Sequence, residues 1–362
     1  MSEEEARYGV DVAGSNVSSS CLMVDLTLLG DCGTSYGEAV PGSATVSRSA
    51  GAWVPLAARG WKHCGSARVL PIHGTGRLMV LKVALAVNEV TRDPHLNLTG
   101  IVGLAREARR QGAALVLFPE AAPTGLLNVD DPARDLPLGQ EIPGPVTTVL
   151  GGTARELGVY LAVGMLERAG DRLFDAALLF DPRGDIVLHY RRITPGWHGP
   201  RASPDVYGHG EGVGVALTAL GSVAFLLCGD LFDDSLVASV RSLRPDWLLV
   251  PMARCFGDGS EDQARWDAEE LPQYAERVAL AGTTTLVVNY LAPPELEGGA
   301  FGGAWVFGRD GHVMASWPLG RVGCLIASLD PRFCGVSVPQ QEGTPSAWKG
   351  DVGGGSRAAS RP

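Results

Sequence analysis

Between residues 81 and 330 the chain alternates short apolar runs with stretches of helical period, and this alternation restricts it to the α/β class. Strand-length runs are predicted at 81–87, 113–118, 159–163, 174–180, 186–190, 223–227, 247–251, 285–289, 304–307, 312–316 and 323–329. Helices are predicted over 97–111, 146–157, 235–243 and 266–281, the first ending at Gly112, a residue suited to a helix C-terminus. Asp181-Pro182-Arg183-Gly184 reads as the turn of a hairpin. Strands and helices alternate early and hairpin-like pairs appear later, so the sheets should be mixed.

Composition narrows the function classes. Hydrophobic residues make up 45% of the chain and charged residues 19%, which is enough to build a core. The net charge of −10 argues against a nucleic-acid partner, because phosphate binding needs lysine and arginine. No apolar run reaches the ~20 residues that span a bilayer, so no membrane partner is expected. The acidic start MSEEEARYG is unlike a signal peptide, and a cytoplasmic location follows as the expectation. Cys21, Cys32, Cys64, Cys228, Cys255, Cys324 and Cys334 are irregularly spaced and include no CxxC pair. That pattern fits reduced thiols better than a disulfide scaffold or a zinc site. Residues 1–78 are Gly/Ser/Ala-rich and read as a low-order extension, with Met79 as a natural initiator. Residues 334–362 read as a loose tail, leaving 79–333 as the folded domain. No phosphate-cradling glycine motif follows a strand.

Three of the apolar runs end in a reactive residue. Leu115-Val116-Leu117-Phe118-Pro119 leads to Glu120, Leu188-His189-Tyr190-Arg191 leads to Arg192, and Ala224-Phe225-Leu226-Leu227 leads to Cys228, followed by Gly229-Asp230. Strand ends that meet at one sheet edge are where α/β enzymes assemble sites. Taken singly, a cysteine after an apolar strand is a small core residue, and a glutamate there is a solvated carboxylate or a helix cap. The three together carry more weight than any one.

In order and spacing these segments resemble the nitrilase superfamily of carbon–nitrogen hydrolases. Asn97, the Asp181–Gly184 turn, Arg244-Pro245-Asp246, Asn289-Tyr290, Phe301-Gly302-Gly303 and Arg309-Asp310-Gly311 add to the likeness. The resemblance implies a four-layer α-β-β-α sandwich, commonly paired as a homodimer. It implies Cys228 as nucleophile and Glu120 as general base, cleaving a small amide, carbamoyl compound or nitrile through a thioester without metal or organic cofactor. Tyr190, Asp205, Arg254 and Asn289 fall on the substrate side. The family's second carboxylate is sought at Asp205 or Glu211.

The chain departs from the family at one position. The family's catalytic lysine is replaced by Arg192, and no register shift restores it, because the only lysines are Lys62, Lys82 and Lys349. A guanidinium supplies charge and hydrogen-bond donors but keeps its proton at any ordinary pH. A second reading therefore stands beside the first: a catalytically silent protein of this fold that binds a small ligand or a partner.

Overall fold

The computed structural model describes residues 81–337, apart from Gly298, Pro331 and Arg332. The N-terminal extension and most of the tail lie outside the described residues. The strands are β1 Leu81–Val87, β2 Leu115–Leu117, β3 Tyr160–Ala169, β4 Arg172–Phe180, β5 Ile186–Arg191, β6 Val215–Thr218, β7 Gly221–Phe225, β8 Trp247–Met252, β9 Thr284–Asn289, β10 Leu291–Ala292, β11 Ala300–Phe307, β12 Val313–Leu319, β13 Gly323–Asp330 and β14 Phe333–Ser337. One seven-stranded sheet runs β14-β13-β1-β2-β3-β4-β5; the other runs β10-β11-β9-β8-β7-β6, with β12 paired to β11. Both are mixed: β1, β2 and β3 are parallel, as are β7, β8 and β9, and antiparallel pairs flank them.

Alternation along β1 shows how the layers form. Val83, Leu85 and Val87 join the core between the two sheets, whereas Ala84 and Ala86 pack outward. The outward set meets Ile101, Ala105 and Ala108 of the helix Pro94–Arg110 and Leu150 and Ala154 of the helix Pro145–Leu157. On the far side, Val237 and Val240 of the helix Asp234–Leu243 and Tyr274 and Val278 of the helix Leu271–Ala281 cover the second sheet. The order helix, sheet, sheet, helix is the four-layer sandwich that the family resemblance implied. The core includes Trp266 stacked on Trp305 with ring centroids 4.4 Å apart, so both are packing residues.

Local chemistry moves some of the predicted boundaries. The first helix starts at Pro94, not near Asn97, because Asp93 caps it by accepting from the His95 N–H and Pro94 fits the first turn. The helix predicted over 266–281 is a wide π turn, Trp266–Glu270, followed by the α-helix Leu271–Ala281. Pro272 is the cause: it has no N–H to donate, and its ring crowds the preceding turn. The strand predicted at 304–307 begins earlier, at Ala300. The short strands β6 and β10 were not predicted, and β14 extends the fold past residue 333, through Ser337. No helix among the described residues is long and apolar enough to cross a membrane.

Candidate active site

Glu120, Arg192 and Cys228 lie beyond the ends of β2, β5 and β7 respectively, and the fold brings them to one place. Glu120 is reached through a loop stitched to β3: the Gly164 N–H donates to the Pro119 carbonyl at 3.0 Å, and the Ala122 N–H donates to the Gly164 carbonyl at 3.0 Å. Gly164 is required by this close approach, because a methyl there would stand 2.5 Å from the Glu120 Cα. Asn88 and Asn97 anchor the same loop by donating to the carbonyls of Ala122 and Pro123. Ala121 turns the chain in the left-handed region at φ +46.

Cys228 opens a tight turn, Cys228–Phe232, at φ +43, a conformation that costs a non-glycine residue on the order of 1 kcal/mol. Positive φ thus occurs at both loops, one residue after Glu120 and at Cys228 itself. Asp230 braces the cysteine turn. Its carboxylate accepts from the Leu227 N–H at 3.3 Å, the Tyr190 hydroxyl at 2.6 Å, and the Ile193 and Thr194 N–H groups at 3.2 and 2.8 Å. One buried carboxylate therefore ties the cysteine turn to the segment that carries Arg192.

Arg192 follows β5 and hydrogen-bonds through its own N–H to the Asp175 carbonyl on β4 at 2.8 Å. Its side chain is 4% exposed, with Nη1 2.8 Å from Glu120 Oε1 and 3.6 Å from Asp175 Oδ2. Nη2 lies against Gly229 and Gly196: a methyl on either glycine would come within 2.4 and 2.9 Å of it. The space that the guanidinium occupies is thus provided by two residues without side chains.

The electrostatics follow from this burial. Burial works against the charge on Arg192, but Glu120, Cys228, Asp175 and Asp230 more than compensate and hold the guanidinium protonated. Burial and the charge of Glu120 push the Cys228 thiol up to about 12, although Arg192, the Ala253 N–H and Arg254 pull the other way. At neutral pH the sulfur is therefore a thiol, half-buried, with a carboxylate beside it. Asp175 is also raised well above the usual carboxylate range, first by burial and then by Glu120.

The remaining predicted residues fall in different surroundings. The Tyr190 hydroxyl is engaged by Asp230, and its ring is buried between the sheets. The Asn289 amide donates to the Arg254 carbonyl and accepts from the Arg254 N–H, each at 2.9 Å, so both ends hold the 253–255 loop. Arg254 itself pairs with Glu270 through two contacts, at 2.7 and 3.0 Å, and lies near enough to bias Cys228. Cys255, in the same loop, is half-buried. Asp205 is exposed in the turn before Tyr207, and Glu211 is exposed as well. The carboxylate beside Glu120 and Arg192 is Asp175, which the sequence reading did not select. The search there ran downstream of Arg192, whereas the β4–β5 hairpin brings the partner from upstream.

The carbon-nitrogen hydrolase family model matches residues 82–336. A nitrilase from Pyrococcus abyssi is 37% identical over 116 residues, covering 32% of this chain and 44% of that protein. An omega-amidase from Bos taurus is 30% identical over 119 residues, covering 32% of this chain and 41% of that protein. The chain thus spans less than half the length of these curated relatives. Among solved structures, an amidase from Nesterenkonia sp. matches with a TM-score of 0.58 at 22% identity, covering 70% of this chain and 92% of that one. A carbon-nitrogen hydrolase from Helicobacter pylori G27 gives 0.61 at 17% identity, covering 70% and 90%. These structures share the fold, and the family model matches most of the 362 residues. The chain belongs to the carbon–nitrogen hydrolase family.

Proposed function

We propose that the protein hydrolyses a non-peptide carbon–nitrogen bond, in a small amide or carbamoyl compound before a nitrile, through a thioester on Cys228. The observation that carries this reading is the convergence of a half-buried thiol, a buried carboxylate and a buried guanidinium at the ends of three strands. Because the thiol is protonated at neutral pH, attack requires a base, and Glu120 is the carboxylate whose charge acts on the sulfur. As sulfur adds to the substrate carbon, Glu120 takes the thiol proton and then delivers it to the departing nitrogen. The thioester is hydrolysed by water with Glu120 again acting as base, and the proton returns to sulfur. Arg192 faces Gly229, next to the nucleophile, and its fixed charge suits an oxyanion that develops there. A group that never releases its proton is adequate for that role, so arginine in place of lysine does not remove the chemistry. Tyr190 and Asn289 act as supports in this reading, Arg254 lies on the substrate side, and Asp205 has no part.

A panel of small amides, carbamoyl compounds and nitriles, assayed for ammonia or amine release, tests the proposal. Turnover by the wild-type protein that is abolished in Cys228→Ala is the expected result. Binding of panel compounds without any release of nitrogen would favour the silent ligand-binding reading.

A further inference from the structure

We infer that Asp175 carries a proton and donates it as a hydrogen bond to Glu120 Oε2, acting as a positioning residue that keeps the base single-charged and correctly turned. The inference rests on the hydrolase reading of the site and deepens it. It starts from three oxygens. Glu120 Oε2 and both carboxyl oxygens of Asp175 are buried and have no hydrogen-bond donor among the described residues. Buried acceptors without donors are rare, and ionised ones are costly. Glu120 Oε1 is already served by Arg192 Nη1 at 2.8 Å, while Asp175 stands 3.6 Å from the same nitrogen, outside hydrogen-bond range. One proton on Asp175, shared with Glu120 Oε2, supplies the missing donor to two of the three oxygens.

Counting charge leads to the same place. The groups that face Asp175 are Glu120 beyond β2, Arg192 and Tyr190 from the β5 segment, and Asp230 in the cysteine turn, with Cys228 beside them. The Asp230 carboxylate accepts from four donors, and Tyr190 is one of them. If Asp175 were also ionised, three buried carboxylates would surround a single guanidinium. A neutral Asp175 leaves Glu120 as the anion paired with Arg192, which is the state a base needs. Burial and the neighbouring charge of Glu120 both favour that proton on Asp175. Each carboxylate oxygen has two lone pairs, so Glu120 can accept from Asp175 and still receive the thiol proton.

Two measurements test this. In steady-state kinetics, Asp175→Ala removes the donor and should lower kcat on the order of 10- to 100-fold. Asp175→Asn restores a neutral donor of the same shape and should recover most of that loss. Wild-type activity should fall as pH rises through the ionisation of Asp175, and this limb should be absent from Asp175→Asn, where residue 175 has no proton to lose. An Asn variant as impaired as the Ala variant would overturn the inference, since the carboxylate charge would then be what matters. The second measurement needs no turnover: infrared spectroscopy of protein carrying 13C-aspartate, at neutral pH. A protonated-aspartate carbonyl band should appear in the wild type and in Cys228→Ala and disappear in Asp175→Asn. A wild type without that band contradicts the inference whether or not the variants fold. The band in a protein that hydrolyses nothing would refute the hydrolase reading alone.

Discussion

Arg191 and Arg192 are consecutive residues at the end of one strand, yet they stand in opposite surroundings. Arg191 faces the outer side. It stacks over the Phe174 ring at 3.8 Å and forms two hydrogen bonds to Glu167, which also meets His189 at 2.8 Å. A groove lined by His189, Arg191, His209 and Glu211 runs along that face. Here cation and carboxylate are matched, and Arg191 and His189 keep about a third of their side chains in solvent. Arg192 points inward, into a buried set in which carboxylates outnumber guanidinium groups and several oxygens lack donors. The matched pair on the outer face is what a stable surface edge needs. The mismatched set inside is held together by the surrounding backbone, and unbalanced charge of that kind suits the proton transfers proposed for this site.

The largest expected contrast concerns the two glutamates. Glu120→Gln should lower kcat by about 10²- to 10⁴-fold, the usual contribution of a general base, while Glu167→Gln should leave kcat within about twofold. Steady-state assays on the best substrate of the panel measure both. A comparable loss in the two variants would dissolve the distinction between the faces. The arginines come next. Arg192→Lys should cost about 10- to 100-fold in kcat, because one ammonium cannot reach both Glu120 and the space beside Gly229 that the rigid fork fills. Arg191→Lys should have little kinetic effect. If Arg192→Lys instead gained activity, the arginine would be a defect and the silent reading would gain ground.

The smallest effect concerns stability and sharpens the outer half of the contrast. Burial alone would raise the Glu167 carboxyl, but hydrogen bonds from Arg191 and His189 hold it at about 2, against 4.5 for a free glutamate. A carboxyl depressed in the folded state stabilises the protein above its unfolded value, and that contribution fades as pH falls from about 4.5 toward 2. Glu167→Gln should therefore lower the melting temperature at neutral pH by an amount equivalent to about 1–2 kcal/mol. The gap between variant and wild type should close on acidification through that window, as thermal unfolding at a series of pH values would show.

The sequence made much of this legible, for identifiable reasons. Glu120 and Cys228 each stand just beyond an apolar run, so strand period alone delivers them to a sheet edge. The four layers were legible only through the resemblance to the nitrilase superfamily; in the structure, alternating residues such as Val83 and Ala84 face opposite cores. Asp175 was missed because it sits inside a strand instead of at its end. A signal was available: Asp175 shares its face of β4 with Ala177 and Leu179, which line the core between the sheets. An acid in an inward-facing position must find a partner or a proton. The support roles of Tyr190 and Asn289 were not legible, because they depend on Asp230 and on the Arg254 peptide, which reach them from distant parts of the chain.

The central claim is that Cys228 forms the covalent intermediate and Glu120 enables it. Rapid quenching of the wild-type protein during turnover, followed by peptide mass spectrometry, tests this most directly. The account predicts an acyl adduct on the Cys228 peptide that forms within a turnover and is strongly reduced in Glu120→Gln. Turnover with no adduct on Cys228, or an adduct carried by Cys255 instead, would contradict it.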